Sequence, residues 1–273
     1  MKSKLKAAVY GLAVADALGV PVEFKARGTF HVTDMMGYGT HNQPVGTWSD
    51  DTSMTIATCD SIREHGNIDL SDMYAKFVAW IVGAEYTAGG RVFDYGGTTA
   101  QALRTGKGID DEFSNGNGSL MRILPLAFVP DITDEQIRAV SAITHAHEIS
   151  KEACVIYVDI ARKLLAGEKL ADILHGLEVK APFDWLPSIA ECAEDEIKSS
   201  GYVVDTLEAA LWALATTNSY EAAVLKAVNL GSDTDTVGAV TGGLAGIIYG
   251  YDAIPDKWID KLKGKAVIDK CLF

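Results

Sequence analysis

The sequence predicts an all-α fold, a single compact multi-helix domain over residues 1–273. Three observations carry that expectation. Apolar residues recur at three- and four-residue spacing in one segment after another. Period-two alternation closed by hairpin turns is missing. No repeat, low-complexity stretch or linker divides a chain that is 48% apolar, so one large core is the simplest solution.

Taken in order, residues 3–18 read as a helix stopped by Gly19 and Pro21. Its lysines at 2, 4 and 6 and the apolar run Ala7 to Ala15 mimic a secretory signal. Gly11 inside the run and Asp16 directly after it favour a buried first helix. Residues 20–51 lack periodicity and carry Gly28, Gly37, Gly39 and Gly46, which predicts a long functional loop. Helical spacing returns at Met54, Ile56, Ala57 and Ile62, and again at Met73, Phe77, Trp80 and Ile81. Two further glycine-rich loops are expected at 85–98 and 105–118. Thr133 and Gln136 form a capping-box pattern, and Ser150 is placed to cap the run Ala153 to Leu165. Helices are then expected near 168–176, 187–199, 205–216, 219–229, 236–249 and 256–264. The apolar run Val237 to Tyr249 is shorter than the roughly 20 residues of a membrane span. The glycine-rich loops are expected to gather on one face.

With 24 basic against 37 acidic residues the chain carries a formal charge of −13. Such a balance argues against a dedicated nucleic-acid binder or a binder of anionic membranes. It leaves room for a small phosphorylated ligand, because bound cations reverse the local sign. The cysteines at 59, 154, 192 and 271 form no CxxC pair, so reduced cytoplasmic thiols are expected rather than a zinc site or a disulfide frame.

Two segments carry more carboxylates and hydroxyls than their positions explain. Gly46-Thr47-Trp48-Ser49-Asp50-Asp51-Thr52 and Gly231-Ser232-Asp233-Thr234-Asp235-Thr236 each open an apolar helix. Either could be an N-cap, but a cap uses one such side chain. Hard divalent cations take about six oxygens from carboxylates, hydroxyls and water. Asp50, Asp51, Asp233 and Asp235, with Ser49 and Thr236, supply enough oxygens for two ions once water is added, and neither segment holds a His or Cys for zinc.

These segments, with Gly11 to Gly19 and Glu23, Phe93-Asp94-Tyr95-Gly96-Gly97-Thr98-Thr99, Gly116-Asn117-Gly118-Ser119-Leu120-Met121-Arg122, Thr144-His145-Ala146-His147 and Gly201 to Leu207, resemble the ADP-ribosylglycohydrolases. Seven motifs stand in that family's order. The resemblance implies an all-α fold and a cleft with two Mg²⁺ ions (Mn²⁺ being possible). Ser49, Asp50, Asp51, Asp233, Asp235 and Thr236 match its metal ligands. Glu23, Asp94 and Asp233 match residues at the chemistry. Gly96, Gly97, Ser114, Asn115, Gly116, Asn117, Gly118 and His145 match the substrate loops. Gly97 stands where the family's pattern carries a polar residue.

The implied reaction is hydrolysis of the bond between ADP-ribose and an acceptor, most simply arginine on a protein. Serine-linked, acetyl and nucleobase conjugates are alternatives. A non-catalytic ADP-ribose binder and a two-metal phosphoesterase are the rival readings. Glu23 is the first choice for acid/base duty, with Asp94 as its partner. Backbone N–H groups from Asn115 to Ser119 are expected to cradle a pyrophosphate. Trp48 reads as packing, and His31, His41 and His65 receive no role.

Overall fold

Helix α1 runs from Lys2 to Gly19 and is buried from Ala7 onward. It is long and apolar enough to cross a membrane by composition, yet 94% of that window is buried inside the protein. The computed structural model describes residues 2–273. Helices α2 (Asp50–His65), α3 (Leu70–Gly83) and α4 (Gly97–Thr105) follow the first long loop. After them come α5 (Asp134–Ser141), α6 (Glu148–Leu165) and α7 (Leu170–His175). Helices α8 (Val203–Ala215), α9 (Tyr220–Val228), α10 (Thr234–Tyr249), α11 (Asp256–Lys261) and α12 (Lys265–Cys271) complete the chain. Among the described residues no strand forms; three isolated bridges pin loops instead.

The centre is the α1–α10 pair. A Cβ on Gly11 would fall 2.4 Å from the Gly242 carbonyl oxygen, and one on Gly242 would fall 2.3 Å from that of Gly11. Only glycine permits so close an approach. The pairing makes α10 a core helix and sets the starts of α2 and α10 side by side, beside the end of α1.

Three expectations need correction. His147, not Ser150, is the N-cap of α6, its ring accepting from the Ile149 N–H. Ser150 instead gives its hydroxyl to Asn115 Oδ1. The helix expected at 187–199 is two short 3₁₀ turns, Leu186–Glu191 and Glu194–Glu196. There, tertiary bonds outcompete the helix: Trp212 Nε1 takes the Cys192 carbonyl, and the Arg27 guanidinium takes those of Glu194 and Ile197. The segment at 256–264 breaks after Lys261, and α12 lies beyond it. Leu262 turns extended to end α11, and Gly264, at φ 64°, is the N-cap of α12, where a Cβ would come within 2.8 Å of the Trp48 ring. Trp48 donates to the Lys263 carbonyl and is buried, a packing residue beneath the acidic loop.

Candidate active site

The first cluster is built by the start of α2. Ser49 is the N-cap and accepts from the Asp51 N–H, so Asp50 and Asp51 are free of capping duty. The second is built by the start of α10, where Asp233 holds the N-cap position with no side-chain cap bond. Thr236 Oγ1 reaches Asp51 Oδ2 at 3.3 Å, so the two clusters meet although 185 residues separate them. Oxygens of Asp51 and Asp235 gather with one of Asp16 within 4.8 Å of one another, and oxygens of Glu23, Asp233 and Asp235 do the same.

These carboxylates face each other in a dry environment. Ser49, Asp50, Asp51, Asp235 and Thr236 are all buried. Asp51 Oδ1, Asp233 Oδ1 and Asp235 Oδ2 find no hydrogen-bond partner. Burial first, and neighbouring carboxylates second, push Asp50, Asp51 and Asp235 far above the ordinary carboxylate range. Burial also raises Asp233, against the pull of bonds from Asn117 and Thr236. The positive ends of α2 and α10 point into the group and soften this repulsion without cancelling it. An all-oxygen set with orphaned buried atoms suits hard divalent cations.

Asp16 belongs to this group, and the sequence reading assigned it no role. It projects from α1 and is fully buried. It accepts from the Ser49 N–H, the Thr52 N–H and the Thr52 hydroxyl, and so clamps the start of α2 to α1. Burial raises its carboxyl to about 7 despite those bonds. A lone aspartate inside an apolar helix was the available signal, since a buried charge demands partners.

Glu23 stands after the 3₁₀ turn Val20–Val22, buried at the edge of the group. Burial, then the nearby Asp94, raises its carboxyl to about 11. Its Oε2 bonds His41 Nε2, which also lies 3.7 Å from Asp94 Oδ2. His41, left without a role by the sequence, is therefore part of the site. Gly39 makes this possible: at φ 63°, a Cβ there would collide with the Pro21 carbonyl at 1.9 Å. The bare backbone lets the 39–41 turn fold onto Glu23, and Thr40 seals it by donating to the Glu23 carbonyl. Asp94 adopts φ 51° and does not cap α4, whose N-cap is Gly96.

A cleft of about 380 Å³ opens over these groups. Glu23, Asp50, Asp94, Asp233 and Thr236 form its acidic floor, and Gly96, Gly97, Gly116, Asn117, Gly118 and His145 form its glycine-rich wall. Side chains at Gly96 or Gly97 would meet open space. Asn117 ties wall to floor, its amide donating to Asp233 Oδ2 at 2.8 Å and to Thr206 Oγ1 at 2.9 Å. Ser114 and Asn115 depart from expectation and do not line the cleft. Asn115 is buried behind the loop, bonding His147, Ser150 and the Glu112 carbonyl. Of the backbone amides from Asn115 to Ser119, that of Asn117 is engaged by the Gly201 carbonyl.

Comparison with known proteins agrees with this architecture. The family model for ADP-ribosylglycohydrolase matches residues 1–272. The chain is 36% identical over 274 residues to the ADP-ribosylarginine hydrolase Tri1 of Serratia proteamaculans, covering 95% of this chain and 75% of that one. It is 31% identical to the ADP-ribosyl-[dinitrogen reductase] glycohydrolase of Rhodospirillum rubrum, covering 94% and 90%. A solved structure described as an ADP-ribosylglycohydrolase-related protein complex superposes with a TM-score of 0.83 at 33% identity, over 99% of this chain and 96% of its own. Matched from end to end in sequence and fold, this chain belongs to the ADP-ribosylglycohydrolase family.

Proposed function

We propose that this ADP-ribosylglycohydrolase cleaves the N-glycosidic bond between ADP-ribose and an arginine side chain, with two Mg²⁺ or Mn²⁺ ions held between α2 and α10. The observation that carries the metal reading is the set of orphaned oxygens on Asp51, Asp233 and Asp235, buried together without a cation of the protein's own. Ser49, Asp50, Asp51, Asp233, Asp235 and Thr236 are the ligands, and Asp16 completes the inner side. Bound there, the ions supply Lewis acidity and orient the distal ribose.

The chain's own groups perform the rest. Water attacks the anomeric carbon as the bond to the guanidino nitrogen breaks, through an oxocarbenium-like state. With a cation bound beside it to favour the carboxylate, Glu23 takes the water proton, and His41, bonded to its Oε2, holds that carboxyl in place. Asp94, half-buried in the acidic floor, receives the departing guanidinium, whose leaving nitrogen takes up the proton that Glu23 removed from water. The rings of Phe24 and Phe93 lie 5.9 and 5.3 Å from that of His41. A flat cation is well served by a carboxylate among aromatic faces. Relatives named as ADP-ribosylarginine hydrolases, at 35–36% identity, support the same acceptor.

The test is release of ADP-ribose from an ADP-ribosylated arginine peptide, with Mg²⁺ and with chelator. Free ADP-ribose only in the presence of the ion is the expected result. Binding without product would make the protein a reader of ADP-ribose, and AMP with ribose phosphate would make it a phosphoesterase.

A further inference from the structure

Behind the glycine-rich wall runs a polar chain that hydrolysis as described does not use. Arg122 is fully buried, its guanidinium 4.6 Å from the centre of the Phe77 ring. Its terminal nitrogens donate to the Val140 carbonyl at 3.3 and 3.2 Å, and NH2 donates to Thr144 Oγ1 at 2.9 Å. Its Nε finds no partner, and among the described residues it makes no ion pair. A buried guanidinium without a counterion is costly to keep. What it touches is therefore informative.

Thr144 is itself fully buried and has one hydroxyl proton to give. Its oxygen already accepts from Arg122, and its remaining neighbour is His145 Nδ1 at 2.8 Å. Giving that buried proton a partner requires the hydroxyl to donate to this nitrogen, which would leave Nδ1 without a proton. Burial, with the Arg122 charge beside it, pushes the imidazole down to about 3, so the ring is neutral. The backbone is fixed on both sides: His145 N–H donates to the Ser141 carbonyl, and Ala146 N–H to that of Ile109. The ring lines the cleft, close to the glycines that clear its path. A Cβ on Gly116 would stand 3.6 Å from Nε2, and one on Gly118 would press to 2.8 Å from Cε1.

We propose that Arg122 and Thr144 are positioning residues that lock His145 into its Nε2–H tautomer, presenting a fixed hydrogen-bond donor to an oxygen of the ADP-ribose in the cleft. The identity of that acceptor rests on the function proposed above; the tautomer does not. Polarised by Arg122, the Thr144 hydroxyl holds Nδ1 strongly, and the donor stays aimed before ligand arrives. An uncharged donor suits a cleft whose acidic floor would hold cations, because it adds no repulsion.

The experiment is ¹⁵N NMR of histidine-labelled, ligand-free protein, with His145 assigned by its loss in His145→Gln. The expected spectrum has a protonated Nε2 and a bare Nδ1. Thr144→Val should scramble the tautomers and weaken ADP-ribose binding in Mg²⁺ by about tenfold. Thr144→Ser, which keeps the hydroxyl, should restore both. A proton on Nδ1 in the wild type would overturn the relay, a reading that survives even if Thr144→Val does not fold. Scrambled tautomers with unchanged affinity would overturn the donor role. Failure of the wild type to bind ADP-ribose at all would instead sink the assigned substrate, since the spectrum reads the relay without ligand.

Discussion

The two ends of α2 present the same kind of residue in opposite electrostatic settings. At its C-terminal end, Asp60 is buried yet satisfied: Arg63, Lys76 and the Tyr86 hydroxyl all reach it, and they hold its carboxyl below the usual range even against burial. Lys76 also bridges Glu64 and Asp72. Those two carboxylates, with His65, are close enough to face an ion, but a lysine of the chain already serves them. At the N-terminal end, Asp50 and Asp51 face Asp16, Asp233 and Asp235, and among the described residues no lysine or arginine pairs with them. Carboxylates that serve the fold are folded together with their cations. Those without one are the groups proposed to take a cation from outside the chain.

The largest test of this contrast is Asp233→Ala. It should cut ADP-ribose release by at least about a thousandfold while leaving the circular dichroism intact, because the side chain caps nothing. Retained turnover would break the contrast at once. Next is the ion itself. Mg²⁺ at a hundredfold excess over its Kd should stabilise the protein by about 2.7 kcal/mol, a rise of about 5–10 °C in Tm.

That rise should grow with pH, and the sign follows from Asp16. Its folded value of about 7 lies above the ordinary aspartate value of 3.8. In ion-free protein it therefore contributes stability that is full below about 3.8 and is lost as pH climbs through 7. Protons and Mg²⁺ compete for the same oxygens, so the ion should add little at pH 4 and most at pH 7 and above. A thermal shift independent of pH would mean that the ion acts elsewhere.

A smaller effect distinguishes the two ends directly. Asp51→Asn should raise the stability of the ion-free protein by about 1 kcal/mol, because it removes a buried carboxyl that must either stay charged without a counterion or take up a proton on folding. Asp60→Asn should lower it by about 1–2 kcal/mol, because it removes the buried charge that Arg63, Lys76 and the Tyr86 hydroxyl share. Denaturant melts in chelator read both. Smallest is the comparison with a real cap: Thr133→Ala breaks the capping box of α5 at about 1 kcal/mol and should leave kcat unchanged.

Much of this was legible in the residues. Helical spacing located most of the helices, and the surplus of oxygens over what a cap can use singled out both metal-type segments before their convergence was visible. What escaped has physical reasons. Asp16 announces itself by one residue in an apolar helix, and its partners are 33 and 36 residues away. His41 joins Glu23 only because Gly39 lets one turn fold flat on another, a tertiary event that no periodicity encodes. Asn115 and Asn117 sit two apart in one loop and face opposite ways, a matter of backbone direction rather than residue type. The missing helix at 187–199 lost its carbonyls to Trp212 and Arg27, which approach from distant parts of the chain.

The most direct measurement is the number of Mn²⁺ ions bound per chain, read by calorimetric titration and by the electron paramagnetic resonance of the bound metal. Two ions per wild-type chain with magnetically coupled spectra, and loss of the coupling in Asp233→Ala, are expected of a shared site between α2 and α10. No bound ion, or a pair of uncoupled ions indifferent to Asp233, would contradict it.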